Sequence, residues 1–182
     1  MAIAFDVIAR EGFTSFTFEQ VGRAVKLSPA ALVKRFKNKK TLALLARNQK
    51  WDQNLGQIES DAFKKLIGLK GIFDFLQMIA LSVNSRRLGE HAIFLGTEAC
   101  YPHSRKKVAL YFEKTRRIFH DLLVQAIKSG ELSEEIDPKL LSKTLEALVQ
   151  GAIFQFAFLD EKSIELHLKM HFEIMLKPYL RD

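Results

Sequence analysis

Apolar residues along the 182-residue chain recur at three- and four-residue steps, while runs of strict apolar/polar alternation are short and Asn-Gly or Asp-Gly hairpin signals are absent. This periodicity predicts an all-α protein. A first helix is expected from the N-terminus to about Arg10, stopped by Gly12 as its C-terminal cap. Short helices are expected over 18–25 and 29–36 and a longer one over 39–56, followed by helices over 61–67, 71–87, 89–99, 104–129, 138–159 and 163–178. The four prolines, at positions 29, 102, 138 and 178, fall where these patterns start or end.

The ends of the early helices are written in their side chains. Thr17 is a suitable N-cap, and Gln20 three residues later completes a capping box, with Phe16 placed to pack on Val21. Ser28 caps the next helix, Pro29 sits in its first turn where no N–H is missed, and Leu27 can pack on Leu32. Lys26 and Leu27 leave room for a tight turn and no more. Helices this short are marginal alone. Their apolar residues Phe18, Val21, Ala24, Val25, Leu32 and Phe36 must therefore pack on Phe5, Ile8 and Ala9 of the first helix. The expected unit is a helix-turn-helix that presents its last helix outward.

Charge changes this picture by location. Residues 1–50 hold ten Lys or Arg against three Asp or Glu, a net +7, whereas the remaining residues balance to zero. Such asymmetry suggests a polyanionic partner for the first quarter alone. Lys39 and Lys40 stand at the start of the fourth helix, where the helix dipole disfavours cations by a few tenths of a kcal/mol and a bound phosphate would reverse the sign. The hydrophobic share of 48% is ample for a core. The longest apolar stretch without charge, Ala147–Leu159, has thirteen residues, short of the roughly 20 needed to span a bilayer. No membrane segment and no secretory signal are predicted. A single cysteine, Cys100, fits a reducing compartment, so a cytoplasmic location is expected.

The stretch AFDVIAREGFTSFTFEQVGRAVKLSPAALVKRFKNKKTLALLA resembles the TetR family of bacterial transcription regulators, with Gly12-Phe13, Thr17, Val21, Ser28, Leu32, Phe36, Asn38-Lys39 and Leu42 in register. The resemblance implies a DNA-binding domain over 1–46 and a helical ligand-binding and dimerisation domain over 47–182. It further implies a repressor-like homodimer whose helix at 29–36 enters the major groove of double-stranded DNA, and whose release follows binding of a small molecule. Thr17, Ser28, Lys34 and Lys39 are then expected on the DNA backbone, and Pro29, Ala30, Ala31, Val33 and Arg35 in or near the groove. Two residues depart from the family pattern. Val33 stands where a tyrosine is usual, and Lys26 replaces the usual turn glycine. Ala30, Ala31 and Val33 offer shape and thymine-methyl contact rather than hydrogen bonds.

The last two long helices are apolar on two sides. In 163–178, Ile164, Leu168, Phe172 and Met175 form one row, and Leu166, Met170 and Ile174 lie nearly opposite. Such a helix is expected between its own core and a second surface. A four-helix bundle about a twofold axis would use Leu148, Ala152, Phe156, Leu168, Phe172 and Met175; a buried hairpin within a monomer is the alternative. Phe73, Met78, Phe94, Tyr101, Tyr111, Phe112 and Phe119 are candidates for an apolar or aromatic ligand pocket, or else ordinary core. His167 and His171 have a spacing able to hold a metal, but no third ligand is evident and none is predicted to bind; no cofactor is expected. No nucleophile motif, phosphate loop or carboxylate pair is visible, so the chain is not expected to be an enzyme. The rival reading is a regulator-like protein that has lost specific DNA binding and serves as a ligand-binding or protein-interaction module.

Overall fold

The computed structural model describes residues 1–12, 15–82, 102–159 and 163–181. Among these, the regular structure is helical: α1 (Ala2–Glu11), α2 (Phe18–Val25), α3 (Pro29–Phe36), α4 (Lys39–Ile58), α5 (Asp61–Lys64), α6 (Gly68–Ser82), α7 (Pro102–Lys128), α8 (Pro138–Phe156) and α9 (Ile164–Leu176), closed by a 3₁₀ turn at Lys177–Tyr179. The all-α expectation holds. The helix predicted over 89–99, and the end of that predicted over 71–87, lie outside the described residues. The chain divides into two compact units, Met1–Gln57 with Ile93–Val108 and Ile58–Ala92 with Ala109–Asp182.

In the first unit α2 packs on both α1 and α3. Phe5, Val7 and Ile8 of α1 are buried together with Phe16, Val21, Leu32 and Phe36. Ala24, expected in this core, is exposed, and Gly22 is buried in α2 instead. Leu27 also stays largely exposed, so the second staple is looser than the first. Gly12 ends α1 at φ 93°, a backbone region that glycine enters without Cβ strain. Further along, Lys107 of α7 reaches Asp52 of α4 at 2.5 Å and the Asn48 carbonyl at 3.4 Å.

The second unit is organised around α9, which packs on both α6 and α8. Phe63, Phe75, Phe119 and Phe172 form a chain of ring contacts through its core, with successive centroids 5.4, 4.9 and 5.6 Å apart. The start of α6 is held from a distance. Glu131 Oε2 accepts from the Leu69 amide at 3.2 Å and Gln125 Oε1 accepts from the Gly68 amide at 3.1 Å. A side chain at residue 68 would collide with the Glu131 carboxylate.

Replacing Phe119 by Ala removes the middle ring of this chain. The expected loss is about 3–5 kcal/mol of unfolding free energy, read as a lower denaturant midpoint.

Candidate nucleic-acid interface and ligand-domain sites

The turn between α2 and α3 is built on a very close backbone approach. A Cβ at Gly22 would lie 2.5 Å from the Leu27 carbonyl oxygen, so any larger residue forces the turn open. The Gly22 carbonyl in turn accepts from the amides of Lys26 and Leu27, the latter at 2.9 Å. Lys26 takes the left-handed conformation, φ 56° and ψ 42°, that closes the turn. Sequence reading marks Lys26 as occupying the glycine position of the turn; the residue that the turn requires to be glycine lies four positions earlier.

The expected caps form. Thr17 Oγ1 accepts from the Gln20 amide at 3.2 Å and Gln20 Oε1 accepts from the Thr17 amide at 2.7 Å. Gln20 Nε2 also donates to Glu11 at 2.8 Å, which ties α2 to the end of α1. Ser28 Oγ accepts from the Ala31 amide at 3.1 Å. At the head of α4, Asn38 Oδ1 accepts from the Thr41 amide at 2.9 Å, a cap that keeps the two lysines in the first turn.

These contacts leave one face of α3 open. Leu32 and Phe36 are buried, while Ser28, Pro29, Ala30, Ala31, Val33, Lys34 and Arg35 are all exposed, Val33 at 45%. The exposed set contains eight of the nine predicted DNA-binding positions once Lys39 is added, and Thr17 is half-buried. Lys39 has a structural task that its position in the sequence does not reveal. Its Nζ donates to the Phe16 carbonyl at 2.9 Å and sits 5.4 Å from the Phe16 ring centroid. This bond holds the loop before α2.

The predicted ligand residues are scattered. Phe119 is fully buried in the ring chain of the core and lines none of the described openings. Phe94 and Tyr101 lie outside the described residues, as does Cys100. Phe73 lines an apolar groove of about 450 Å³ with Leu69, Ile174, Leu176 and Leu180, flanked by Glu173 and Lys177. Met78, Tyr111 and Phe112 are half-buried and line none of the described openings. A second cleft of about 490 Å³ lies beside Phe63, Lys64, Ile118, Asp121 and Gln125, residues not predicted from sequence.

The dimerisation residues need correction. Ala152, Phe156, Leu168 and Phe172 belong to the unit's own core, with Leu148 and Met175 at its margin. The opposite row of α9 faces out instead: Leu166 is 66% exposed, Met170 47% and Ile174 66%. Phe154 and Phe158, in ring contact at 5.2 Å, are exposed at the end of α8. Periodicity separates the two rows, but which row is the core depends on where α6 and α8 lie.

Two buried polar features were not predicted from sequence. His167 is buried, and its ring meets Phe156 at 5.5 Å and His171 at 4.6 Å. Among the described residues no group of three potential metal ligands forms. Glu146 is buried on α8, with Arg116 Nε 3.8 Å from its carboxylate. Burial raises its carboxyl above the ordinary value, and Arg116 pulls the other way. Nearby, burial likewise raises the Tyr111 phenol; a hydrogen bond with Thr115 lowers it and the Glu146 charge raises it.

Residues 1–46 match the family model of bacterial regulatory proteins, tetR family. No curated protein sequence matches the chain. Solved structures share its fold over nearly the whole length. A protein assigned as a transcriptional regulator from Saccharomonospora viridis, in complex with choline, is 16% identical at TM-score 0.78, covering 99% of this chain and 95% of that one. A TetR transcription regulator from Haloarcula marismortui is 12% identical at TM-score 0.75, covering 98% and 95%. The regulator FadR from Bacillus subtilis, in complex with stearoyl-CoA, is 18% identical at TM-score 0.64, covering 96% and 94%. The family resemblance read from the first helices thus stands on the match to 1–46, and the fold of the whole chain is the one these regulators share.

For Glu146 the folded protein holds the proton more tightly than the unfolded chain. Stability therefore falls as pH rises from the ordinary value of 4.5 through the folded one. Glu146→Gln is expected to raise the melting temperature at neutral pH, with the gain shrinking as pH is lowered toward 4.5.

Proposed function

We propose that the chain is a TetR-like transcriptional regulator that acts as a repressor, binding operator DNA as a homodimer and leaving it when a small, apolar or aromatic ligand binds. The observation that carries this reading is the open face of α3, exposed and flanked by cations on a helix-turn-helix within the residues that match the family. Residues 1–46 are the DNA-binding domain in this reading and 47–182 serve ligand binding and dimerisation. Ser28, Lys34 and Lys39, with Thr17, meet the phosphate backbone. Pro29, Ala30, Ala31, Val33 and Arg35 enter the major groove. Phosphate contacts supply most of the affinity, since the groove-facing tip lacks hydrogen-bonding side chains.

The ligand class follows from the apolar groove that includes Phe73. Choline and stearoyl-CoA, the ligands of two structural relatives, differ widely in size, so the shared fold sets no single ligand chemistry. Dimerisation through Leu166 and Met170 of the outward row with Phe154 and Phe158 fits the need of two DNA half-sites for a twofold axis. A regulator of this kind works in the cytoplasm and catalyses nothing; among the described residues no helix is long and apolar enough to cross a membrane.

The DNA reading is tested by gel retardation of the DNA upstream of the chain's own reading frame. Retardation is expected to weaken steeply with salt, and Lys34→Ala to weaken binding to this DNA and to random duplex alike. Lys34 is the better probe than Lys39, whose loss also releases Phe16. Absence of retardation by the full chain at low salt would favour the rival, a ligand-binding or interaction module. For the dimer, Leu166→Glu is expected to give folded monomers in sedimentation, whereas Leu168→Glu, inside the core, unfolds the chain. A dimer of unchanged stability in Leu166→Glu would sink the assignment of that face.

A further inference from the structure

Among the described residues, two that are not glycine have positive φ, and they bracket α3. Lys26 closes the turn before it at φ 56°, ψ 42°. Lys37 follows it at φ 65°, ψ −50°. There the Asn38 amide donates to the Phe36 carbonyl at 2.7 Å, which makes Lys37 the centre of a γ-turn of the rare positive-φ kind. For a side chain with a Cβ both conformations are strained, because the Cβ crowds the neighbouring carbonyl. The chain places glycine at three other positive-φ positions, Gly12, Gly68 and Gly130. Lysine at these two is therefore a costly choice that glycine would relieve.

The capping bonds that hold these conformations, from the Lys26 amide to the Gly22 carbonyl and from the Lys37 amide to the Val33 carbonyl, are backbone bonds that glycine would make equally well. Both lysines are exposed, and among the described residues neither ammonium forms a hydrogen bond or ion pair. An exposed cation at the C-terminal end of a helix gains only about 0.3–1 kcal/mol from the dipole, so lysine kept over glycine at both positions points to an external reward. α3 has eight residues, hence a length of about 12 Å, close to the roughly 12 Å width of the major groove. A cation at each end of a helix seated there comes within reach of the phosphates that line the groove.

We propose that Lys26 and Lys37 are phosphate contacts, one at each end of the recognition helix, kept in place of glycine at the expense of backbone strain. The pair compensates for the bare tip between them: with Pro29, Ala30 and Ala31 offering no hydrogen bonds, the helix is seated from its ends. This inference rests on the DNA-binding reading above and adds two residues to it that neither the family match nor the caps assign.

The test uses Lys26→Gly and Lys37→Gly in the full chain, with a mixed-sequence DNA duplex and a salt titration. The expected signature has opposite signs. Each variant melts higher by about 2–4 °C as strain is relieved. Each also binds DNA more weakly, with a slope of log affinity against log salt flatter by about 0.9 for each phosphate no longer neutralised. Lys26→Arg and Lys37→Arg are expected to keep the wild-type slope. Glycine variants that bind with unchanged affinity and slope would overturn the proposal, as would variants that melt no higher than wild type. A wild-type chain that fails to bind the duplex at low salt would sink the DNA reading itself, a result distinct from either.

Discussion

Helices of eight residues do not hold themselves in water, so α2 and α3 exist only as long as they pack on α1 and on each other. That constraint passes through a single close approach, the Leu27 carbonyl against the bare Cα of Gly22. From it follow the direction in which α3 leaves the turn, the burial of Leu32 and Phe36, and the exposure of the opposite face. The left-handed backbone at residue 26 and the positive φ at residue 37 are consequences of the same compression: the chain must reverse sharply on either side of a very short helix.

The caps and the Lys39 bond make the unit stiffer than its helix lengths suggest. Thr17 and Gln20 satisfy each other's amides, and Gln20 also reaches Glu11, so α1 and α2 share one network. Lys39 binds the Phe16 carbonyl from the head of α4. A cation that appears in the sequence as part of a basic surface thus also fixes the loop before α2.

In the second unit the ring chain from Phe63 to Phe172 plays the equivalent role. It uses aromatic residues that periodicity could assign either to a pocket or to a core, and it takes Phe119 and Phe172 for the core. The apolar groove beside Phe73 and the buried Glu146 with Arg116 then remain as features that packing alone does not require.

Features that depend on near neighbours in the chain were legible from the order of residues. The bounds of α2 and α3, the capping box, the Ser28 cap and the basic first quarter all follow from contacts within four residues or from composition, and they appear as read. The existence of two apolar rows on α9 was legible for the same reason. Which row is core was settled by packing, because burial depends on partners tens of residues away: Leu168 and Phe172 turn inward toward α6 and α8, and Leu166, Met170 and Ile174 are left outside. Packing also settled that Glu131 would hold the start of α6, that Lys39 would bind Phe16, and that Gly22 rather than the residue at the turn must lack a side chain. Each of these is a meeting of atoms that sequence spacing does not bring together, and only the packed chain does.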